Sequence, residues 1–343
     1  MPWTTVPKME RTPGVEPGSR EITYREALNE ALSQMLGIDE RVFIMGEGVD
    51  DPGGVFGTTK GLPEKFGDAR VFDTPLAENA LTGIAMGAAL AGMRPVLVHM
   101  RVDFLPISLD QIINHAAKWH YMFGGKVHVP MVIRAITGRG WGSAAQHSQS
   151  LQALFANIPG LKVVMPSTPY DAKGLLMAAV ADGNPVIFLE HRWLYEAAGH
   201  VPEEPYLVPI GKGEIRRKGK DATIVGVSHM AREAVAAAEL LANEGIDSEV
   251  IDLRAVRPMD SPLVIESVRK TGRLVVADTG WKLCGIGAEL VARVAEEALG
   301  ELKAPPLRIN IPDVPTPSSP VLEEAYYPGK DDIAAGVRQL LGK

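Results

Sequence analysis

Apolar positions along this chain switch repeatedly between a helical rhythm and short β-branched runs. Residues 24–36 carry the helical period, 42–45 form a strand-like run, and a Gly-rich loop follows over 46–61. A strand at 70–72 leads through the turn Asp73-Thr74-Pro75 into a Gly/Ala-rich helix at 79–91 and a strand at 95–99. Helices at 110–121, 148–156 and 170–181 then alternate with strands at 130–134, 162–165 and 186–189. After a Pro- and Glu-rich stretch without periodicity at 199–207, strands 222–227, 248–252 and 273–278 alternate with helices 232–244, 261–270 and 288–299. Strands separated by helices require a mostly parallel sheet covered on both faces, so the fold class is α/β. The aperiodic stretch predicts a linker and a boundary near residue 205, giving a flexible tail at 1–20, a larger domain at 21–205 and a smaller one at 206–343. Small residues at three- and four-residue spacing in 82–92 predict a closely packed helix pair, with a second subunit as one candidate partner.

Composition narrows the function. A chain of 343 residues with 46% hydrophobic and 22% charged residues has material for two cores. The net charge of −7 contains no basic run able to neutralise a phosphate backbone, which argues against nucleic acid. The most apolar stretch, 81–100, is broken by Gly92, Arg94 and Pro95 and reads as helix, turn and strand, so no membrane association is expected. One cysteine, Cys284, excludes an internal disulfide and any multi-cysteine metal site. With no signal-like apolar core near the N-terminus, the expected location is the cytoplasm.

Ligands of open parallel sheets gather at the carboxyl ends of strands. Three ionisable residues stand in such places: Glu47 in Met45-Gly46-Glu47-Gly48, Glu78 after Asp73-Thr74-Pro75-Leu76-Ala77, and His147 in Ala144-Ala145-Gln146-His147-Ser148-Gln149. Each also has a plain structural explanation. Glu78 as a first-turn carboxylate would be favoured by the helix dipole, and a lone histidine opening a helix is commonly a hydrogen-bonded structural residue. The glycines at 285–287 lack the third glycine and the acidic ribose partner of a dinucleotide site, and both they and the glycines at 138–142 read as turns. No nucleophile elbow, zinc-binding His-Glu-x-x-His or Walker loop occurs.

Several motifs in order nevertheless carry a family resemblance over about residues 20–340. They are Phe72-Asp73-Thr74-Pro75-Leu76-Ala77-Glu78, Ala88-Ala89-Leu90-Ala91-Gly92-Met93-Arg94-Pro95, Asp110-Gln111-Ile112-Ile113-Asn114, Ala144-Ala145-Gln146-His147-Ser148-Gln149, Ile158-Pro159-Gly160-Leu161-Lys162-Val163-Val164 and Leu253-Arg254-Ala255-Val256-Arg257-Pro258-Met259-Asp260. With these the chain resembles the β-subunits of thiamine diphosphate-dependent 2-oxo acid dehydrogenases, the pyruvate, branched-chain and acetoin types. The resemblance implies a transketolase-like pyrimidine-binding domain followed by a transketolase-type C-terminal domain. It implies catalytic roles for Glu78, at the pyrimidine ring nitrogen, and for His147, beside the reaction centre. Glu47, Leu76, Glu78 and Phe104 become the implied cofactor-binding set, and Met131, Ala179, Asp182 and Asn184 an implied monovalent cation site, with K+ the candidate ion.

The chain has no Gly-Asp-Gly followed by a downstream Asn, the motif that holds magnesium and the diphosphate in complete thiamine enzymes. The implied partner is therefore an α-subunit that carries Mg2+, in an α2β2 heterotetramer. A lipoyl-bearing acyltransferase core is the implied acceptor and a 2-oxo acid the implied substrate. The segment 100–107 departs from pyruvate-specific members, while 121–126 and 189–192 are closer to acetoin-type chains. Two competing readings are a self-sufficient transketolase-like enzyme and a noncatalytic scaffold.

Overall fold

The computed structural model describes residues 20–139 and 142–343. These form two compact units, one of residues 20–137 and 154–210, the other of 138–153 and 211–343.

The first unit begins with strand β1 (Glu21–Thr23) and helix α1 (Tyr24–Ile38), whose N-terminus is closed by a reciprocal capping box between Thr23 and Glu26. β2 (Val42–Gly46), α2 (Leu62–Phe66), β3 (Val71–Asp73), α3 (Glu78–Leu90) and β4 (Arg94–His99) follow. A 3₁₀ helix at Val102–Ser108, a π-helical segment at Asp110–Ala116 and α4 (Trp119–Met122) lead to β5 (Val132–Thr137). The single helix expected at 110–121 is thus two pieces with a wider first turn. The helix expected at 148–156 is confined to α5 (Gln152–Ala156), because Ser148 and Ser150 bury their side chains from irregular backbone.

β6 (Lys162–Val164), α6 (Pro169–Ala181), β7 (Val186–His191) and β8 (Ala198–His200) complete this unit. Its sheet runs β6-β7-β5-β4-β2-β3, with every pair parallel. Nearly continuous apolar runs such as Val-Ile-Phe-Leu in β7 are what a sheet buried on both faces requires. Across it, Arg134 and Glu190 form a fully buried two-bond pair at 2.6 and 2.9 Å, and Tyr195 donates its hydroxyl to the same carboxylate at 2.9 Å. The stretch 199–207 is tied down at its start. β8 pairs antiparallel with β1, and buried Lys173 donates to the Pro202 and Glu203 carbonyls at 2.7 and 2.9 Å, so the polar composition reflects fixed hydrogen bonds rather than flexibility.

The second unit contains β9 (Glu214–Arg217), β10 (Ala222–Gly226), α7 (His229–Ala242), β11 (Ser248–Asp252), β12 (Ala255–Arg257), α8 (Ser261–Thr271), β13 (Leu274–Trp281), α9 (Ile286–Ala298), β14 (Leu307–Ile311), α10 (Pro320–Tyr326) and α11 (Lys330–Leu341). Its sheet has the order β14-β13-β10-β11-β9, parallel except for edge strand β9. Alternate residues face opposite layers. Ile224 joins the core made with Ala234, Leu241, Val337 and Leu340 of α7 and α11, whereas Thr223 bonds Ser267 and Thr271 of α8, each at 2.7 Å. No helix among the described residues is long and apolar enough to cross a membrane.

Candidate active site

Three adjacent strands of the first unit deliver their carboxyl ends to one edge in register, with Gly46 of β2 opposite Asp73 of β3 and Val98 of β4. Only glycine suits position 46, where φ is +141° and a Cβ would lie 2.1 Å from the Val98 carbonyl oxygen. The chain passes close over β4 as a result. Glu47 N–H donates to that carbonyl at 3.1 Å, and the Glu47 side chain is only 5% exposed.

The Met100 N–H donates to Glu47 Oε2 at 3.1 Å, and Nδ1 of buried His99 stands 3.5 Å from Oε1. Burial pushes the Glu47 carboxyl up, but the His99 imidazole and the Met100 N–H outweigh it and hold the group below its ordinary value. Oε1 itself has no hydrogen-bond partner among the described residues. Gly48 N–H donates to Asp73 Oδ1 at 2.7 Å and ties the loop after β2 to the end of β3.

From that end the chain turns through Leu76, which is 80% exposed, into α3. Glu78 is the first residue of this helix and is half-buried. Its carbonyl accepts the Thr82 hydroxyl at 2.8 Å, and among the described residues its carboxylate makes no hydrogen bond or ion pair. The carboxylate thus stands at a helix N-terminus, open to an external donor. Past β4, the 3₁₀ helix buries Val102 and Leu105 and leaves Phe104 half-buried. Glu47, Leu76, Glu78 and Phe104 therefore all leave the carboxyl edge of β2, β3 and β4. Two carboxylates and two apolar residues on segments leaving one sheet edge are the residue types that a flat ring with polar edges requires.

His147 belongs to the other unit, on the irregular loop before α5. It is exposed, its N–H reaches the Ala144 carbonyl at 3.4 Å, and Ala144 holds a left-handed φ of +59°. The four residues implied as cation ligands form a less open set. The Met131 carbonyl accepts the Val186 N–H at 3.0 Å and the Ala179 carbonyl the Asp182 N–H at 3.3 Å. Asp182 Oδ1 accepts from Asn184 N and Nδ2 at 2.9 and 3.1 Å. Arg94 Nη1 donates to the carbonyls of Val180 and Asp182 at 2.8 and 3.0 Å, so a guanidinium already faces part of this carbonyl group.

Sequence reading missed His99. Its signal was position alone, since it ends the strand expected at 95–99 and so shares the edge that carries Glu47. It also missed Asp278, a fully buried carboxyl at the corresponding edge of the second unit.

An all-parallel sheet with acidic residues at its carboxyl edge, joined to a second α/β unit, defines a two-domain ligand-binding α/β protein. Residues 20–197 match the family described as transketolase, pyrimidine binding domain, and residues 211–333 match transketolase, C-terminal domain. The acetoin:2,6-dichlorophenolindophenol oxidoreductase subunit beta of Cupriavidus necator is 48% identical over 94% of this chain and 98% of its own length. The mitochondrial pyruvate dehydrogenase E1 component subunit beta-1 of Arabidopsis thaliana is 46% identical over 92% and 88%. A solved structure titled split gene transketolase, inactive beta4 tetramer, superposes with a TM-score of 0.76 at 26% identity over 94% of this chain and 99% of that one. The chain belongs to the transketolase-like family of E1 β-subunits of 2-oxo acid and acetoin dehydrogenases.

Proposed function

We propose that this chain is the β-subunit of a thiamine diphosphate-dependent 2-oxo acid dehydrogenase, acting with an α-subunit in an α2β2 assembly and passing its acyl group to a lipoyl-bearing acyltransferase. The observation that carries the reading is Glu78, a carboxylate at the start of α3 without a hydrogen-bond or ion-pair partner among the described residues, on the sheet edge from which Glu47 also leaves.

The donor set fits an aminopyrimidine. Glu78 can accept from a protonated ring nitrogen, Phe104 and Leu76 offer apolar cover, and Glu47 Oε1 is a buried acceptor without a partner among the described residues. When bound, thiamine diphosphate supplies the carbanion that attacks the 2-oxo group and the electron sink for decarboxylation. Glu78 would accept from the protonated ring nitrogen, Glu47 would supply a fixed negative charge on the same sheet edge, and His147, in the role the family resemblance implies, would donate or accept a proton during turnover. The diphosphate and Mg2+ fall to the α-subunit, because this chain has no Gly-Asp-Gly motif. K+ is proposed at Met131, Ala179, Asp182 and Asn184, where the remaining carbonyl lone pairs suit a hard cation, with Arg94 a competing positive charge. No step depends on it.

The test is copurification from the native cells at low expression, followed by assay with pyruvate, branched-chain 2-oxo acids and acetoin. A stoichiometric partner carrying Gly-Asp-Gly, and turnover that disappears in Glu78→Gln, support the reading. A homo-oligomer without such a partner overturns it and moves the scaffold forward. The 48% identity to an acetoin-type chain favours acetoin as the second substrate reading, decided by which compound sustains turnover.

A further inference from the structure

In the second unit, β10 lies between β13 and β11 while the chain runs β10, β11, β13, so the strand order reverses between β10 and β13. At the carboxyl edge of an open α/β sheet that reversal opens a crevice where ligands ordinarily bind. Here residues of its own unit fill it. Gly226 pairs with Ala277 at the edge, which puts Asp278 and Thr279 at the mouth. Gln152 Nε2 donates to Asp278 Oδ1 at 2.7 Å, and Ser150 Oγ donates to Thr279 Oγ1 at 3.3 Å.

Two further ties come from around α10. Tyr327 donates its hydroxyl to the Ser148 carbonyl at 3.2 Å, and Gly142 N–H reaches Glu323 Oε2 at 3.4 Å. Gly138 N–H bonds the Gln149 carbonyl at 3.2 Å and closes the loop on itself. Ser148, Ser150 and Gln152 are all at least 97% buried, while Ala145, Gln146 and His147 are exposed. His147 is thus the last exposed residue before a row of buried anchors. The anchoring leaves no slack: a Cβ on Gly280 would lie 2.9 Å from both Asp278 Oδ2 and Gln152 Nε2, and one on Gly142 would lie 2.7 Å from the Ser318 carbonyl.

We propose that Asp278, Thr279, Glu323 and Tyr327 are positioning residues for His147, and that the C-terminal crevice serves to hold the His147 loop rather than a ligand of its own. The inference rests on the reading of His147 as a catalytic group. Each anchor removed frees backbone that is otherwise pinned, and displacement of a proton-transferring group by about 1 Å is enough to cost one to two orders of magnitude in rate.

The experiment compares Gln152→Met, Gly280→Ala and the mild Tyr327→Phe with the unaltered protein in the assembled enzyme, by hydrogen exchange of residues 142–151 and by steady-state kinetics. Expected are loop exchange about tenfold faster, the loss of roughly one hydrogen bond, and kcat lowered about tenfold with KM for the 2-oxo acid unchanged. Loop exchange at the unaltered rate in all three overturns the clamp. A loosened loop with full kcat overturns positioning. His147→Ala is the separate control: full turnover in that variant removes the catalytic reading while leaving the clamp measurable by exchange. If the two buried variants do not fold, Tyr327→Phe, which deletes a single hydroxyl, decides by the same two readouts.

Discussion

Replacing Asp278 with Asn should stabilise this protein at neutral pH, although the residue is completely buried and hydrogen-bonded. Burial pushes the Asp278 carboxyl up to about 6 from 3.8, against the opposing hydrogen bonds of the Gly280 N–H, the Gln152 amide and the Thr279 N–H. Well below pH 4 the group is protonated in folded and unfolded chains alike, and it imposes no charge on the interior. Between about pH 4 and 6 the unfolded chain releases the proton while the folded one keeps it, so stability falls as pH rises through this window. Above it the folded protein carries the full cost, about 3 kcal/mol for roughly two pKa units. Asn is nearly isosteric and carries no charge to bury; its Oδ1 can still accept the Gln152 amide, while its Nδ2 gives up an acceptor for backbone N–H groups at a cost of about 1 kcal/mol that does not vary with pH. Urea unfolding of both proteins from pH 3 to 8, following the transition of the C-terminal unit, should show the Asn variant about 1 kcal/mol less stable at pH 3 and about 2 kcal/mol more stable at pH 7.5, a swing of about 3 kcal/mol. A difference independent of pH, or an Asn variant less stable at pH 7.5, would refute the reasoning.

Four other outcomes follow from the described geometry. Glu78→Gln should lower kcat of the assembled enzyme at least about 100-fold with the unfolding midpoint unchanged, as measured by decarboxylation and urea titration side by side. Gly46→Ala meets both a positive φ and the Val98 carbonyl, and thermal unfolding should show a loss of about 3 kcal/mol or failure to accumulate. Glu190→Ala leaves Arg134 buried without its carboxylate and should cost about 3–5 kcal/mol by denaturant titration. For Glu47, whose carboxyl lies below its ordinary value, the stabilisation is present above the unfolded-state pKa and lost as pH falls through the folded one. Glu47→Gln should therefore flatten the acid limb of the stability profile, and an unchanged limb would sink that assignment.

What the sequence disclosed depended on how much of each element was periodic. β7 and α6 were legible because their patterns run over several turns or a full apolar strand, and the start of α3 at Glu78 was marked by the preceding Asp-Thr-Pro turn. The pairing of β1 with β8 was not, since three-residue strands carry no period and their partner lies far along the chain. Ile333, Ala334, Val337 and Leu340 do carry a helical stripe, so α11 was available to a reading extended past residue 299. The buried residues His99 and Asp278, one in each unit, had no local signature. What makes them chemical is the register of a neighbouring strand and the absence of water, and neither is written in the residues beside them.

Residues 138–153 lie towards the end of the first half of the chain yet belong structurally with residues 211–343. During synthesis this stretch leaves the ribosome long before its anchors exist. The larger unit can complete its sheet while the intervening segment waits, exposed and unpaired, until the last strands and α10 have emerged. Cutting the gene near residue 205 would therefore not yield two independent folding modules. The first fragment would carry an orphaned loop and the second an unfilled crevice, and the histidine would be correctly placed in neither until the two were made together.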